Sequence, residues 1–498
     1  MSLLVAWGAT RLALFVAMLL ASPNGFCDPQ FYDYAGRLAA GQWPYLNVPV
    51  EYPPGAMLLI LLPALPLLPF ARIAPRPDAA FAPPLTHLPH PDPVRYGAYG
   101  ISFAIAMLLI DLLTLWLVRR AARQLLPGDR FGLRSGLLYV GLVFVSGALL
   151  QKFDLAAGML CLAAVLAMVS RREGRAGALL ALATLVKGFP LLAAPAFVVY
   201  AMLRPSPSPG NERRRRGEGP WWGALAAVWP GLRVGALAFA VVVAAPVLVV
   251  ALLAGPDALL HTVVYHVGRG TEIESLYANI QLALGWLPGL RVSSHFNPRD
   301  LSRVVSSALD GVVTVVTPLV LGVFLLLTYA SLGRAAWRPL GRSGEAAQGT
   351  RRPRRNPDHA EETADAGARG LRPREAVLRS TVPAVAAALS REQVLLVGTA
   401  ASLLAFLLAF RALPAHYLLD VLPLAVVIRL PRQRWQAVWL GGLLAVAVCG
   451  QAVVGIWPAL VVAAPAAVLL LSLRNMAWLL AFGMLLLALW QSPGKSGR

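Results

Sequence analysis

Residues 27–54, CDPQFYDYAGRLAAGQWPYLNVPVEYPP, combine the side chains best suited to hold and activate a polar substrate. The acids and tyrosines of this segment include Asp28, Asp33, Tyr45, Glu51 and Tyr52. A carboxylate can take a proton from a hydroxyl group, and tyrosine rings offer amphipathic surfaces to a sugar. A loop that only connects two helices has no need of this density, so the segment predicts an active-site loop.

Other predicted loops add further polar groups. These are Lys152 and Asp154, Lys187, the run YHVGRGTEIES with His266, Arg269 and Glu274, and His416 with Tyr417. Their segments are far apart in sequence, and the predicted topology collects them on one membrane face. Group transfer from a membrane-held donor requires acids and cations to converge in this way.

Hydropathy predicts the elements that position these residues. The chain has 498 residues, of which 58% are hydrophobic and only 14% are charged, and its mean hydropathy is +0.64. A soluble domain cannot bury so much apolar surface in one core, so the bilayer is the expected solvent. Apolar runs of roughly 17 to 25 residues predict membrane helices.

We predict an all-α, polytopic membrane protein with about thirteen transmembrane helices. The runs are 3–21, 97–118, 132–150, 155–170, 176–203, 234–254, 312–330, 393–410, 417–428, 437–456, 459–473 and 476–490. The run 176–203 is too long for one helix and is predicted as two short spans that meet at Lys187-Gly188-Phe189-Pro190. The proline-rich segment 57–70 is predicted to lie along the outer surface. Asp111, within a span, is expected to satisfy a polar group of a neighbouring helix.

Arginine predicts the orientation. The net charge of +20 rests on 44 basic residues, of which only three are lysines. The arginines cluster in short loops between predicted spans, at 119–123, 171–175, 213–216, 334–391 and 429–434, and at Arg474. The positive-inside rule places these loops in the cytoplasm and the acidic loops outside. Nucleic acid is excluded as a partner, because the basic clusters are separated and contain no interleaved aromatic residues.

The same patterns predict three regions. Residues 1–333 form a transmembrane catalytic region with outer loops 22–96 and 255–308, and residues 392–498 form C-terminal transmembrane helices. The region between them, 334–391, is rich in Arg, Ala, Gly, Glu and Pro, which predicts a disordered basic cytoplasmic linker. Three scattered cysteines and the lack of a glycine-rich phosphate loop predict neither a metal site nor a cofactor.

The order of the short motifs resembles that of the GT-C glycosyltransferases of family 87. The matching motifs are Asp28-x-x-x-Tyr32, Gly41-x-x-Pro44-Tyr45, Glu51-Tyr52-Pro53-Pro54, Phe153-Asp154, Ala176-Gly177 to Lys187-x-x-Pro190, and Tyr265-His266-x-x-Arg269-Gly270 with Glu274-Ser275. The resemblance runs from Asp28 to about Ser275 and resumes near Pro414. One departure is visible, since members often have Ser-Pro-Gln-Tyr where this chain has Leu413-Pro414-Ala415-His416-Tyr417.

The resemblance implies an inverting, polyprenyl-phosphate-sugar-dependent mannosyltransferase of the bacterial plasma membrane. Its partners would be the lipid-linked sugar donor, a glycolipid or glycan acceptor outside the cytoplasm, and membrane lipids. Asp28 would be the catalytic base. Arg269, and after it Lys187, would stabilise the leaving phosphate, because arginine can grip two phosphate oxygens while lysine acts as a point charge.

Several site residues also admit a structural interpretation. Asp28-Pro29 reads equally as a helix N-cap followed by proline at the first helical position, with the helix stopped by Gly41. Asp33 and Glu51 are the reserve acids, and Glu51 is also able to anchor the Tyr-Pro-Pro turn. The remaining alternatives are helix capping for Asp154, a snorkelling role for Lys187, pairing of Glu272 or Glu274 with Arg269, and structural roles for His266 and His416.

Three other function classes remain open. A transporter or lipid-linked sugar flippase would share the many spans, but it would place ionisable residues in the middle of the membrane and often contains inverted repeats. A noncatalytic scaffold would be expected to lack acids such as Asp28 and Glu51. The same fold using another lipid-linked sugar, such as arabinofuranose, is compatible with all the residues above.

Overall fold

The computed structural model describes residues 3–21, 27–70, 93–126, 128–129, 131–204, 220–297, 302–348 and 389–491. Within these ranges the protein is all-α, with one small hairpin. The first helices are α1 (Leu3–Ala21), α2 (Pro29–Ala39), α3 (Pro54–Leu61), α4 (Pro93–Leu125), α5 (Leu133–Ser146), α6 (Asp154–Val169), α7 (Glu173–Lys187) and α8 (Ala194–Leu203). They are followed by α9 (Pro220–Ala254), α10 (Pro256–Gly268), α11 (Leu276–Leu284), α12 (Asp310–Gln348), α13 (Arg391–Ala409), α14 (Leu418–Ala425), α15 (Gln433–Gly455), α16 (Trp457–Val461) and α17 (Pro465–Gln491).

Three 3₁₀ segments and a β-hairpin complete the described part of the chain. The 3₁₀ segments are Leu62–Phe70, Phe189–Ala193 and Ala415–Tyr417. Strand β1 (Val292–Asn297) pairs with β2 (Ser302–Ser307) in antiparallel register, with Val292 opposite Ser307. The hairpin lies in the predicted outer loop 255–308, which is therefore a folded unit of two helices and a hairpin.

Seven of the described helices are long and apolar enough to cross a membrane. Their candidate spans are Leu3–Leu20, Gly97–Leu125, Val228–Ala254, Asp310–Ala335, Arg391–Ala409, Gln433–Gly455 and Pro465–Gln491. This agrees with the prediction of a multi-pass membrane protein. Shorter apolar helices pack between them, including α5, α6 and α8.

Helix α13 is central and α9 is peripheral. In α13 89% of the candidate span is buried, whereas in α9 none of it is. Leucine side chains such as Leu237 and Leu252 project from α9 with more than half of their surface exposed. An apolar helix surface without protein contacts is matched by lipid, so α9 is expected to face the bilayer.

Glycines allow a close crossing between α7 and α9. A Cβ added at Gly177 of α7 would overlap the carbonyl oxygen of Gly235 in α9, and Gly235 itself lies against Glu173. Small residues spaced in this way let two helix backbones approach, which in a membrane provides much of the packing energy. The pair anchors the lipid-facing α9 to the bundle.

One buried ion pair joins α1, α4 and α5. Arg11 donates through Nε and Nη2 to the two oxygens of Asp111, at 2.8 and 3.1 Å. Asp111 also accepts from Trp7 at 2.5 Å and from Tyr139 at 2.6 Å. A carboxylate with this many donors is fully paired, as expected for a buried charge. Asp111 therefore has the structural contacts that its position predicted.

Four arginines lie over aromatic rings on segments that carry no member of the acidic loops. The guanidinium groups of Arg120, Arg204, Arg334 and Arg432 lie over the rings of Trp116, Tyr200, Trp490 and Trp435, at 5.5, 4.6, 3.8 and 4.7 Å. Such amphipathic pairs suit a membrane interface. The arginine cluster 213–216 lies outside the described residues.

Two element predictions are wrong. The runs 459–473 and 476–490 do not form two spans separated by Arg474, because α17 is continuous through Arg474. Arg474 is completely buried and bonded to Glu274 and to the carbonyl of Leu413. Because these partners satisfy its charge inside the protein, Arg474 does not have to lie in a solvent-exposed loop. The linker also begins later than predicted, since α12 extends to Gln348. The predicted disorder of 349–388 falls outside the described residues.

Two other local predictions are confirmed. Helix α2 begins after the N-cap Asp28 with proline at its first position, and Gly41 follows its end with a φ of +77°. The break in 176–203 is present, since α7 ends at Lys187 and Gly188 adopts a φ of +71°. That glycine turns the chain into the segment Phe189–Ala193.

Candidate functional site

Polar side chains from six segments meet at one end of the helix bundle. We call this set the polar cluster, and its members are Asp28, Glu51, Lys152, Asp154, Lys187, Arg269, Glu272, His416, Tyr417 and Asp420. The segments are the loop around α2, the loop before α6, the end of α7, the loop after α10, the 3₁₀ segment Ala415–Tyr417, and α14. The cluster contains seven of the twelve predicted site residues.

Asp28 is both a helix cap and half of an ion pair. Its Oδ1 accepts from the backbone amide of Gln30 at 3.0 Å, and its Oδ2 accepts from Lys152 Nζ at 2.5 Å. Burial raises the pKa of Asp28, but Lys152 and the Gln30 amide outweigh it and hold the pKa below its ordinary value. Asp28 is thus ionised at neutral pH, with a fifth of its side chain exposed.

The loop before α6 positions Lys152. Gly147 ends α5 with a φ of +63°, and Gln451 of α15 donates to the carbonyl of Ser146. Burial lowers the pKa of Lys152, but Asp28 and then Asp154 raise it above the ordinary value. Lys152 was not among the predicted site residues. Its position in the sequence, two residues before the predicted site residue Asp154, could have indicated that Lys152 belongs to the site.

Lys187 lies between two carboxylates. It bonds to Asp154 and lies 3.1 Å from Asp420 Oδ2, while the ring of Tyr417 lies 4.1 Å from its Nζ. His416 Nε2 is 3.7 Å from Asp154. Lys187 is therefore an ion-paired residue and not the snorkelling lysine of the alternative interpretation.

Asp420 is a site residue that sequence reasoning missed. It is 1% exposed, and its Oδ1 has no hydrogen-bond partner among the described residues. The carbonyl of Asp420 also lies where a Cβ on Gly158 of α6 would be, so a glycine is needed for this approach. An acid inside the apolar run LLDVLPLAVVI was the signal, since such residues are costly in a membrane and often functional.

Glu51 is the acid of the cluster that is held by neutral donors. Gln30 donates to its Oε1, and the hydroxyl of Tyr34 donates to its Oε2 at 3.1 Å. Tyr52 donates to Gln30 Oε1 at 3.1 Å. Burial raises the pKa of Glu51 to about 7, although Tyr34 and Arg269 oppose the shift.

Helix α10 braces the backbone beside Glu51. His266 Nε2 lies 3.0 Å from the carbonyl oxygen of Glu51, and Thr262 donates to the carbonyl of Val50 at 2.8 Å. Burial lowers the pKa of His266 to about 4. A neutral His266 can donate from Nε2 to the carbonyl, so its contacts are those of a residue that positions Glu51.

Arg269 reaches the cluster from the end of α10. It pairs with Glu272, and it lies close enough to Glu51 to lower the pKa of that acid. Asp28 also acts on Glu51, in the opposite direction. Asp28 and Arg269 therefore lie at the same end of the bundle, each close enough to Glu51 to act on its charge. The predicted pairing of Glu272 with Arg269 is confirmed.

The remaining predicted residues lie at or beyond the rim of the cluster. Tyr45 donates to the carbonyl of Tyr52 at 2.5 Å and so holds the Tyr-Pro-Pro turn. Glu274 pairs with the buried Arg474 at 3.1 Å. Asp33 is not brought into the cluster, because α2 turns it outward to pair with Arg37 one helical turn later, at 2.8 Å.

Aromatic side chains form the wall behind Asp28. Phe31 packs against Tyr52, Phe103 and Phe153 with ring centroids 5.4 to 5.9 Å apart. Lys152 Nζ lies 5.7 Å from the centre of the Phe31 ring. These rings form an apolar layer beside the ion pair of Lys152 and Asp28.

No group of three or more metal-ligating side chains is present among the described residues. No protein-family model, no curated protein and no solved structure matches the chain. The interpretation of the site therefore rests on its chemistry. It offers a partly exposed carboxylate at Asp28, a buried carboxyl group of raised pKa at Glu51, and several cations.

The raised pKa of Glu51 predicts a pH-dependent stability. The folded protein keeps a proton up to about pH 7, whereas the unfolded chain releases it near pH 4.5. Stability is therefore highest below the unfolded value and falls by up to about 3 kcal/mol as the pH rises through this window. Glu51→Gln removes the ionisable group and is expected to raise the apparent Tm at pH 8 but not at pH 4.5.

Thermal unfolding of the purified protein in detergent at the two pH values measures this difference. Asp33→Asn is the matched control, because that acid lies on the surface of α2 in an exposed ion pair worth little energy. An equal change in Tm at both pH values for Glu51→Gln would contradict the ionisation model.

Proposed function

We propose that this protein is a multi-pass membrane glycosyltransferase with a GT-C-like arrangement of its helices. It would transfer a sugar, mannose in the first instance, from a polyprenyl phosphate donor to a glycolipid or glycan acceptor. The observation that carries the proposal is the convergence of Asp28, Lys152, Lys187, Arg269 and their partners from six separate segments. A transferase that acts on a lipid-held donor needs such a polar site at the end of an apolar bundle.

The chemistry is a displacement with inversion at the anomeric carbon. The acceptor hydroxyl oxygen forms the new bond to this carbon as the bond from the carbon to the phosphate oxygen breaks. The hydroxyl proton passes to a carboxylate, and the electron pair of the broken bond leaves with the phosphate. Cations beside that phosphate stabilise the transition state more than the ground state.

Asp28 is the proposed base because a base must touch the hydroxyl that it deprotonates. A fifth of its side chain is exposed, whereas Glu51 is only 7% exposed beneath Gln30 and Tyr34. Lys152 keeps Asp28 ionised and oriented. Glu51 has the pKa closer to neutrality, which favours general-base catalysis, and is therefore the competing candidate.

The proposed location is the bacterial plasma membrane, with the polar cluster on the extracytoplasmic face. The arginine clusters 119–123, 171–175 and 429–434 support this orientation through the positive-inside rule. Arg474 does not, because it is bonded to Glu274 of the predicted outer loop and its predicted cytoplasmic position is wrong. Arg269 remains the preferred phosphate ligand over Lys187, because its planar guanidinium can donate to two phosphate oxygens and Lys187 is already shared by two carboxylates.

Donor turnover tests the proposal directly. The purified protein in lipid nanodiscs is incubated with radiolabelled polyprenyl phosphomannose and candidate acceptors, and the products are separated. Parallel reactions with polyprenyl phosphoarabinofuranose distinguish the two sugars. We expect transfer of label to an acceptor. If neither donor releases or transfers its sugar with any of the acceptors, the protein is not a transferase of this class.

A transporter of lipid-linked sugar is the second candidate. The observation that favours it is the charge buried within long helices, at Arg11 and Asp111, which pair with each other, and at Arg474, which pairs with Glu274 of a neighbouring turn. Movement of the intact donor across proteoliposomes, with no transfer of sugar, would support this function over the first.

A further inference from the structure

Four of the five cations near the polar cluster are neutralised by carboxylates. The pairs are Lys152 with Asp28, Lys187 with Asp154 and Asp420, Arg269 with Glu272, and Arg474 with Glu274. The fifth cation is Arg411, which follows the end of α13. It forms no ion pair with any residue that the structure describes.

Neutral groups hold Arg411 in place. Its Nη1 donates to the carbonyl of Arg269 at 3.2 Å, and its Nε approaches Thr317 Oγ1 of α12 at 3.4 Å. Its own carbonyl accepts from the amide of Glu272 at 2.9 Å. The guanidinium is thus half-buried and oriented by two segments, while Nη2 donates to no described residue.

Arg411 has no carboxylate partner among the described residues. It is joined to Arg269 through the Arg269 carbonyl, whereas Arg269 itself pairs with Glu272 and also acts on Glu51. The guanidinium of Arg411 therefore keeps donor capacity that the neighbouring carboxylates do not use. A phosphate group provides the complementary charge and the acceptor oxygens, and an arginine fork can donate to two of them.

We propose that Arg411 binds the phosphate of a lipid phosphate, with Arg269 beside it; this inference rests on the proposed function. As the sugar leaves, the phosphate diester becomes a monoester and gains charge, which the oriented guanidinium stabilises. No proton is required at this position, since arginine stays charged throughout.

Helix α12, whose Thr317 contacts Arg411, exposes Val315 and Leu319 on its opposite face, at 63% and 62%. A polyprenyl chain packed on that apolar face would lie about one helix diameter from Arg411, so its phosphate would reach the guanidinium around the edge of α12. Free phosphate would make the guanidinium contacts alone, so affinity for the two ligands separates a lipid site from a general anion site.

Binding of polyprenyl phosphate without sugar tests the inference. The full-length protein in detergent is titrated with polyprenyl phosphate and, separately, with inorganic phosphate. Arg411→Gln removes the charge but keeps a hydrogen-bonding amide, and Arg411→Lys keeps the charge but loses the fork. We expect about 10- to 100-fold weaker binding for Arg411→Gln, as for loss of a charged hydrogen bond, and an intermediate loss for Arg411→Lys.

Arg37→Ala is the matched control, because Arg37 lies on α2 in a surface pair with Asp33, and its affinity should match wild type. Gel filtration and Tm establish that each variant is folded. Unchanged affinity in a folded Arg411→Gln would overturn the role of Arg411 and leave the proposed function standing. Equal affinity for inorganic phosphate would overturn the lipid assignment, and a wild-type protein that binds no polyprenyl phosphate would overturn both this inference and the proposed function.

Discussion

Asp28→Asn is expected to lower turnover of polyprenyl phosphomannose by about 10²- to 10⁴-fold, the usual contribution of a general base. Asparagine preserves the shape of the side chain and can still accept from the Gln30 amide, so α2 keeps its cap. It cannot take the acceptor proton. The loss should appear in kcat, with little change in the affinity for the donor, and it is measured by steady-state turnover in nanodiscs.

Glu51→Gln separates the two candidate bases. If Asp28 is the base, its lowered pKa makes kcat/KM nearly independent of pH above about pH 5, and Glu51→Gln leaves this profile unchanged. If Glu51 is the base, kcat/KM falls tenfold per pH unit below its pKa of about 7, and Glu51→Gln abolishes the activity. A folded Asp28→Asn protein with wild-type turnover would remove Asp28 from the mechanism.

Lys187→Met is expected to destabilise the protein by about 3–5 kcal/mol, the typical cost of removing one partner from a buried ion pair. Asp154 and Asp420 would then be two buried carboxyl groups without their shared cation. Methionine retains much of the apolar stem of lysine, so the loss of stability comes mainly from the lost charge and not from lost side-chain volume. The measurement is the free energy of unfolding, or the apparent Tm where unfolding is irreversible.

A double variant provides the control for this interpretation. Adding Asp420→Asn to Lys187→Met removes one of the two stranded acids and should recover part of the loss. Lys152→Met is the matched single variant, since Lys152 is 25% exposed whereas Lys187 is 11% exposed, and its effect should be smaller. Equal destabilisation by the two lysine variants, or no recovery in the double variant, would refute the explanation that Lys187 neutralises the buried pair Asp154 and Asp420.

Local patterns were enough to predict most helices. The start of α2 was predictable because an Asp-Pro pair is a local capping signal, and the break after Lys187 because Gly-Phe-Pro interrupts a helix. Arg474 misled the prediction, since a charged residue within a hydrophobic run resembles a loop. Its partners, Glu274 and Leu413, are 200 and 61 positions away in the chain.

The sequence by itself determined that this is an apolar, multi-helix protein with acids and tyrosines in its first loop, because hydropathy and capping depend on neighbouring residues. Only the tertiary structure decided which charges neutralise one another. Lys187 meets Asp420 across 233 positions, and Lys152 meets Asp28 across 124. Such pairings depend on how helices pack side by side, and no local pattern contains that information. The same packing turned Asp33 outward, enclosed Glu51, and left Arg411 without a described carboxylate partner.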